Sequence, residues 1–221
     1  MMDSLLARSA APLAIVAGAL VVVTRVVGLL TAPSDSEALK VVVLTATHAI
    51  NSVASIVAYA MLVLALVACH SLQAPAAGVL GVIGLGAAIL GSVFMAGDWW
   101  FEAFAVPWLA QVVPVVLDNP ASGRLLLGSL MSFVLFGIGW LLYGIASVRA
   151  RVFPTALSWA VVASGLLSAI PIMAYVIYGG SVILGLAFIV LGAWLMRSGN
   201  PRDAHGAAAS PADQPHRSRL A

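Results

Sequence analysis

Two carboxylates are spaced one helical turn apart in the stretch 91–117, GSVFMAGDWWFEAFAVPWLAQVVPVVL, where acidic and aromatic residues are concentrated. If residues 98–105 are helical, Asp98 and Glu102 lie on one face of the helix. Carboxylates beside a histidine can take part in proton exchange or bind a cation. A candidate polar site is therefore centred on this stretch.

Three further polar residues interrupt the first two apolar segments. Arg25 lies in the first segment, and His48 and Asn51 lie in the second. At 1.5 Å per residue, Arg25 and His48 are roughly 9 Å and roughly 10 Å from the same predicted side of the membrane. Charged and polar groups within a bilayer are costly and are candidates for function. We therefore expect an outward-opening polar cluster of Arg25, His48, Asn51, Asp98 and Glu102.

Each of these residues also has a simpler interpretation. Arg25 would extend its charged end to the outer headgroups, and His48 with Asn51 would make hydrogen bonds between helices. The second segment carries a polar stripe that fits either interpretation, because a polar face should avoid lipid. The stripe consists of Thr45, His48, Asn51, Ser52, Ser55 and Tyr59.

Motifs for metal or cofactor chemistry are missing from the sequence. His48, Asp98 and Glu102 lack metal-ligand spacing, and the single cysteine, Cys69, excludes an internal disulfide. HExxH, GxSxG and phosphate-binding glycine loops are absent. We therefore expect no metal, no cofactor and no catalytic residues. Nucleic acid is not an expected partner either, since the few arginines near the C-terminus are more typical of contacts with anionic lipid.

The composition excludes a soluble domain. The 221 residues are 62% hydrophobic and 8% charged, and the mean hydropathy is +1.10, whereas soluble domains carry roughly 25% charged residues. The apolar blocks are about long enough to cross a bilayer as helices. Backbone groups in lipid must be satisfied within their own segment. The predicted fold class is an all-α polytopic membrane bundle.

Capping residues, prolines and glycines along the chain predict where the helices begin and end. Ser34 and Glu37 have capping-box spacing and predict a helix start near Asp35. Pro171 predicts a kink, and Gly179-Gly180 predicts a minimal turn. The membrane domain is predicted to cover 1–197, with six spans at 11–31, 41–69, 76–97, 121–147, 155–178 and 181–196, an interfacial segment at 98–118, and a disordered cytoplasmic tail at 198–221.

The aromatic residues of the interfacial segment predict a belt at the membrane surface, because aromatic side chains are enriched there. The alternative is a lid or a lipid-contact element. The residues concerned are Trp99, Trp100, Phe101, Phe104 and Trp108.

The distribution of basic residues predicts the orientation. With six spans, one side of the membrane receives Arg8, Arg149, Arg151, Arg197, Arg202, Arg217 and Arg219, and the other receives Lys40 and Arg124. Cytoplasmic loops carry the excess of lysine and arginine. Both termini are therefore expected in the cytoplasm, with the acidic and aromatic stretch facing outward.

The run GDWWFEAFAVPWLA, which follows a glycine-rich span, resembles a segment of uncharacterised small multi-pass integral membrane proteins of bacteria. The preference for arginine over lysine amid many Ala, Val and Gly residues suggests a GC-rich bacterial genome. The resemblance implies a helical bundle in the bacterial plasma (inner) membrane and carries no activity with it.

Two functional hypotheses follow. The first is an accessory, structural or lipid-contacting membrane protein, whose partners are the lipid bilayer and either other membrane proteins or a second copy of the chain. The alternative is a small transporter or proton- or ion-coupled permease that uses the polar cluster, although Arg25 and His48 have no counterparts in a second half of the chain. An intramembrane enzyme is the third and least favoured hypothesis.

Overall fold

The computed structural model describes residues 2–118, 123–170 and 174–198, and all regular structure in these ranges is helical. The elements are α1 (Met2–Leu30), α2 (Ser36–Val42), α3 (Ala46–Trp100), a π-helical segment (Phe101–Ala105), α4 (Val106–Val112), a 3₁₀ segment (Pro114–Asp118), α5 (Gly123–Ala150), α6 (Thr155–Ser168) and α7 (Ala174–Ser198).

Helix α3 folds back on itself at Gly78. This glycine has φ 57° and ψ −153°, a conformation in which a Cβ would be strained. The two arms, 46–77 and 79–100, run antiparallel, because His48 contacts the backbone of Glu102 across 54 positions. Nearer the fold-back point, a Cβ on Gly81 would lie 3.3 Å from His70 Cε1. The predicted spans 41–69 and 76–97 overlap these arms, but the chain reverses at Gly78 rather than between residues 69 and 76.

The start of the second predicted helix differs from expectation. We expected one helix from about Asp35, but α2 ends at Val42 and α3 begins at Ala46. Thr45 caps α3, since its hydroxyl accepts a hydrogen bond from the His48 N–H at 3.2 Å. Asp35, rather than Ser34, caps α2, and its hydrogen bond from the Ala38 N–H lowers the pKa of Asp35.

The last two helices also meet at a different place. The prediction of a turn at Gly179-Gly180 was wrong, because α7 runs through both glycines. Helix α6 ends at Ser168, shortly before Pro171, and a proline disfavours a helical conformation in the residue before it. Pro171 itself, where a kink was predicted, lies outside the described residues. Gly180 instead allows close packing, since its Cβ would lie 3.0 Å from the Ser164 carbonyl oxygen.

The long helices form a closed arrangement around α3. One side of α3 packs on α1 and the other on α5, α6 joins α5 to α7, and α7 returns to α1. Aromatic rings fill the centre: the ring centres of Trp140 and Phe188 are 5.4 Å apart, as are those of Tyr59 and Phe136. Gly91 allows the backbones of α3 and α5 to touch. Small residues have this role where lipid provides no hydrophobic drive for helix association.

The prediction of a membrane-type helical bundle is confirmed. Within the described ranges, four helical stretches are long and apolar enough to cross a membrane: Arg8–Leu30, Ala46–Val112, Leu126–Ala150 and Tyr178–Ser198. The second has 67 residues and contains both arms of α3. Helix α6 has 14 residues, and at 1.5 Å per residue it is shorter than a hydrocarbon layer of roughly 30 Å. The predicted tail at 198–221 lies outside the described residues, except for Ser198.

One end of the bundle carries a small cap, formed by residues 36–43 and 101–118. Its apolar contacts involve Val43, Val106, Ala110 and Leu117, with Leu39 and Phe101 at their edge. Lys40 pairs with Asp118 and with Glu37. Both hydrogen bonds raise the pKa of Lys40, and the bond to Asp118 has the larger effect. The predicted interfacial segment is therefore folded against α2.

The close approach of α3 to α5 predicts the effect of filling Gly91. In Gly91→Ala the new Cβ would lie 2.5 Å from Phe136 Cα, and we expect a loss of about 1–3 kcal/mol in the free energy of unfolding. Gly86→Ala is the control, since nothing lies within 4 Å of its Cβ and alanine favours a helix. Thermal unfolding of the purified variants measures the difference, and equal stabilities would contradict the contact.

Candidate functional site

Arg25 is buried at the centre of four helical segments. Only 1% of it is exposed, and its Nη2 donates a hydrogen bond to Ser55 Oγ. Its guanidinium carbon lies 4.0 Å from the ring centre of Trp99, 5.4 Å from that of Tyr178 and 5.7 Å from that of Tyr59. An aromatic cage from α3 and α7 therefore surrounds a cation from α1, a favourable interaction when desolvated.

The simpler interpretation of Arg25 was wrong. A side chain that extends to the headgroups would be exposed, whereas Arg25 is enclosed by protein. Trp99 was expected in the surface belt but is 6% exposed, because it stacks on this guanidinium. The spacing Ala88, Ser92, Met95 and Trp99 marks a buried helical face, and this signal was available in the sequence.

The other aromatic residues of the segment divide into two groups. Phe101 contributes to the cap. Trp100, Phe104 and Trp108 are each more than half exposed, and the rings of Trp100 and Phe104 are 5.7 Å apart. These three side chains have the exposure that a membrane-surface belt requires, and such a belt stays a prediction.

His48 supplies a hydrogen bond that Pro107 cannot. In the π-helical segment the Val106 N–H donates to the carbonyl of Phe101 rather than to that of Glu102. The next residue, Pro107, has no N–H to donate. The Glu102 carbonyl oxygen accepts instead from His48 Nε2 at 3.1 Å. Because a carbonyl can only accept, Nε2 carries a proton in this arrangement.

The same imidazole approaches the Glu102 carboxylate, with Nε2 3.7 Å from Oε2. Asn51 is buried one turn further along α3, and its backbone carbonyl accepts from Ser55 Oγ at 2.7 Å. The Asn51 amide nitrogen lies 3.8 Å from the position of a Cβ on Gly28. His48 therefore links the two arms of α3, as the simpler interpretation expected, whereas Asn51 lies against α1 at Gly28 and its interhelical hydrogen bond stays a prediction.

Asp98 and Glu102 face a different space from Arg25. Among the described side chains, no ion pair within 4.0 Å joins Arg25 to either carboxylate, although Arg25 is near enough to Asp98 to interact electrostatically. The structure thus brings His48 to Glu102 and places Arg25 behind Trp99. It does not assemble all five residues into one contacting cluster.

Both carboxylates line a cleft of about 770 Å³ between the second arm of α3, the cap and the start of α5. Its volume is in the range of ligand pockets, which have mostly apolar walls and a few polar groups. The apolar lining residues are Leu39, Val93, Phe94, Phe101, Val106, Leu109, Val116, Leu117 and Leu126. The polar ones are Asp98, Glu102, Ser129 and Ser132, and Gly97 and Gly128 complete the lining.

A second polar group lies near the fold-back of α3 and was not predicted. Gln73 Nε2 donates to Ser147 Oγ at 3.0 Å, and the His70 and Tyr143 rings are 6.2 Å apart. A cavity of about 20 Å³ adjoins Tyr143, Ser147 and Ser158, which is space for one water molecule. Over the described ranges, the structure contains no group of three or more histidine, cysteine or acidic residues arranged to hold a metal ion.

Comparison of the chain with protein-family models, with curated proteins and with solved structures finds no match.

The role of His48 predicts a coupling to Pro107. His48→Ala leaves the Glu102 carbonyl without a donor and should lower the free energy of unfolding by about 1 kcal/mol. In a Pro107→Ala background the new N–H at position 107 can donate to that carbonyl, so we expect His48→Ala to cost less. Thermal unfolding of the unaltered protein, the two single variants and the double variant gives the coupling energy between His48 and Pro107. Equal costs in both backgrounds would contradict the proposed hydrogen-bond replacement.

Proposed function

We propose that this protein is a lipid-contacting membrane protein that binds an amphiphilic molecule in the cleft between α3, α5 and the cap. The observation that carries the proposal is the lining of the cleft. Apolar side chains come from all three parts of the wall, while the polar groups are few and include two carboxylates on one wall. An amphiphile has the matching division between an apolar chain and a polar headgroup.

The cleft opens to the surface of the bundle. Three of its lining residues, Val93, Phe94 and Leu126, are exposed. Trp100 and Phe104 are exposed near the same end, where aromatic side chains are typical of the membrane surface. A molecule already dissolved in the bilayer can therefore reach the cleft laterally, with its headgroup at the level of Asp98 and Glu102.

The packing beneath the cleft favours binding over passage. Gly91 brings the backbone of α3 against that of α5 at Phe136. Beside this contact, Trp140 Nε1 donates to Ser92 Oγ at 3.3 Å. A permease using the cleft would have to separate these surfaces, whereas a binding protein would not. The permease alternative therefore has less support than a site that takes up and releases its ligand on one side.

We place the cleft on the outer side of a bacterial plasma membrane, with both termini in the cytoplasm. Asp35, Glu37 and Asp118 lie at the cleft end, while Arg149 and Arg151 lie at the other end, as the positive-inside rule requires. In a Cys69→Ala background, Glu37→Cys should react with a membrane-impermeant maleimide in intact cells, and Arg151→Cys only after permeabilisation. The opposite pattern would overturn this orientation.

Filling the cleft should weaken ligand binding. Gly128 lines the cleft, and nothing lies within 4 Å of the position of its Cβ, so Gly128→Phe adds a ring to that space without a backbone clash. The probe is a fluorescent alkyl glycoside, a neutral amphiphile, titrated against the protein in lipid nanodiscs. We expect saturable binding by the unaltered protein. In Gly128→Phe the affinity should fall by about tenfold or more, which corresponds to about 1.4 kcal/mol.

The matched control is Gly86→Phe. Gly86 lies on the same helix arm as the cleft wall, has nothing within 4 Å of its Cβ position and does not line the cleft. This variant should bind the probe like the unaltered protein. Undiminished binding by a folded Gly128→Phe protein would show that the cleft is not the site.

A further inference from the structure

The charged groups that line the cleft are of one sign. Asp98 and Glu102 contribute carboxylates, and Ser129 and Ser132 contribute hydroxyls. Lysine, arginine and histidine are absent from the described lining residues. The two carboxylates are also near enough to interact electrostatically, and like charges one turn apart repel each other. A cation held between them would relieve this repulsion.

Among the described side chains, the basic groups at this end of the bundle are engaged elsewhere. Arg25 lies in its aromatic cage and donates to Ser55. His48 donates to the Glu102 backbone. Lys40, on the cap, pairs with Glu37 and Asp118. Among the described side chains, Asp98 therefore has no cationic partner within 4.0 Å, and the cleft keeps its negative character.

We infer that the ligand of the cleft is a cationic amphiphile, whose amine headgroup binds to Asp98 and Glu102 while its apolar chain lies along Val106, Leu109 and Leu117. This inference rests on the proposed function and adds the charge of the ligand to it. Charge-assisted hydrogen bonds from an ammonium group to carboxylates are the strong ones. The Ser129 hydroxyl, close enough to interact with Asp98, helps to hold that carboxylate in place.

The same lining argues against a phosphate in the headgroup. A phosphate next to the amine would bring negative charge close to Asp98 and Glu102, and the described lining offers no basic side chain to compensate it. A long-chain amine fits the cleft better than an ethanolamine phospholipid does. The ligand class is therefore a single-charge cationic amphiphile.

Competition among amphiphilic probes with different headgroup charges tests the charge of the ligand. Dodecylamine, dodecanol, dodecyl sulfate and a short-chain ethanolamine phospholipid are each used to displace the fluorescent alkyl glycoside from the protein in nanodiscs of zwitterionic lipid. Parallel titrations of Gly128→Phe measure partitioning into the bilayer alone. After that correction, dodecylamine should compete at least about tenfold better than dodecyl sulfate, with the phospholipid also weaker than the amine.

Neutralising the carboxylates should remove this preference. In the double variant Asp98→Asn, Glu102→Gln we expect the ratio of amine to sulfate affinity to fall close to one, while the neutral glycoside still binds. Glu37→Gln is the control, because Glu37 is a mostly exposed acid at the same end that does not line the cleft. It should leave the ratio unchanged.

The outcomes separate this inference from the proposed function. Glycoside binding with no preference for the amine, or a preference that survives in the double variant, overturns the cationic ligand and leaves the amphiphile site standing. Better competition by the ethanolamine phospholipid than by dodecylamine overturns the exclusion of phosphate. Failure of every probe to bind overturns the proposed function together with the inference.

Discussion

A buried positive charge is the constraint on which the capped end of the bundle depends. Arg25 is enclosed by protein, and its guanidinium is stabilised by aromatic faces and one serine hydroxyl. Removing such partners would leave a desolvated charge, which is strongly unfavourable. Helix α1, both arms of α3 and the start of α7 must therefore converge at one depth in the bundle. The arrangement fixes the rotation of the second arm of α3, because Trp99 has to face inward.

That rotation places the carboxylates. Neighbouring residues of a helix point about 100° apart, and residues four apart share a face. With Trp99 turned toward Arg25, Asp98 and Glu102 lie on an adjoining face and line the cleft. Pro107 then disturbs the helix, and the π-helical segment with the His48 hydrogen bond absorbs the disturbance. Such segments often occur at functional sites, and here one forms part of the cleft wall.

The sequence was sufficient to predict the fold class and the placement of Asp98 and Glu102 on one helical face, because composition and helical spacing are local properties. It was insufficient to predict the burial of Arg25, which depends on partners from three distant segments. It was also insufficient to predict the burial of Trp99, which belongs both to an aromatic run and to a buried face. The break between α2 and α3 was missed because the run of apolar residues continues across it, so that only Thr45 signals the new cap. The α6–α7 connection was misplaced because a glycine pair serves a turn and a tight helix contact equally well, and packing decides between them.

The Arg25–Trp99 contact holds the capped end of the bundle together. A double-mutant cycle of Arg25→Met and Trp99→Leu, followed by thermal unfolding of the purified proteins, tests it most directly. The account predicts a coupling of about 1–2 kcal/mol, because Trp99→Leu is costly only while a buried charge needs its ring. Additive effects, within about 0.5 kcal/mol, would show that the two residues stabilise the bundle independently and would contradict the account.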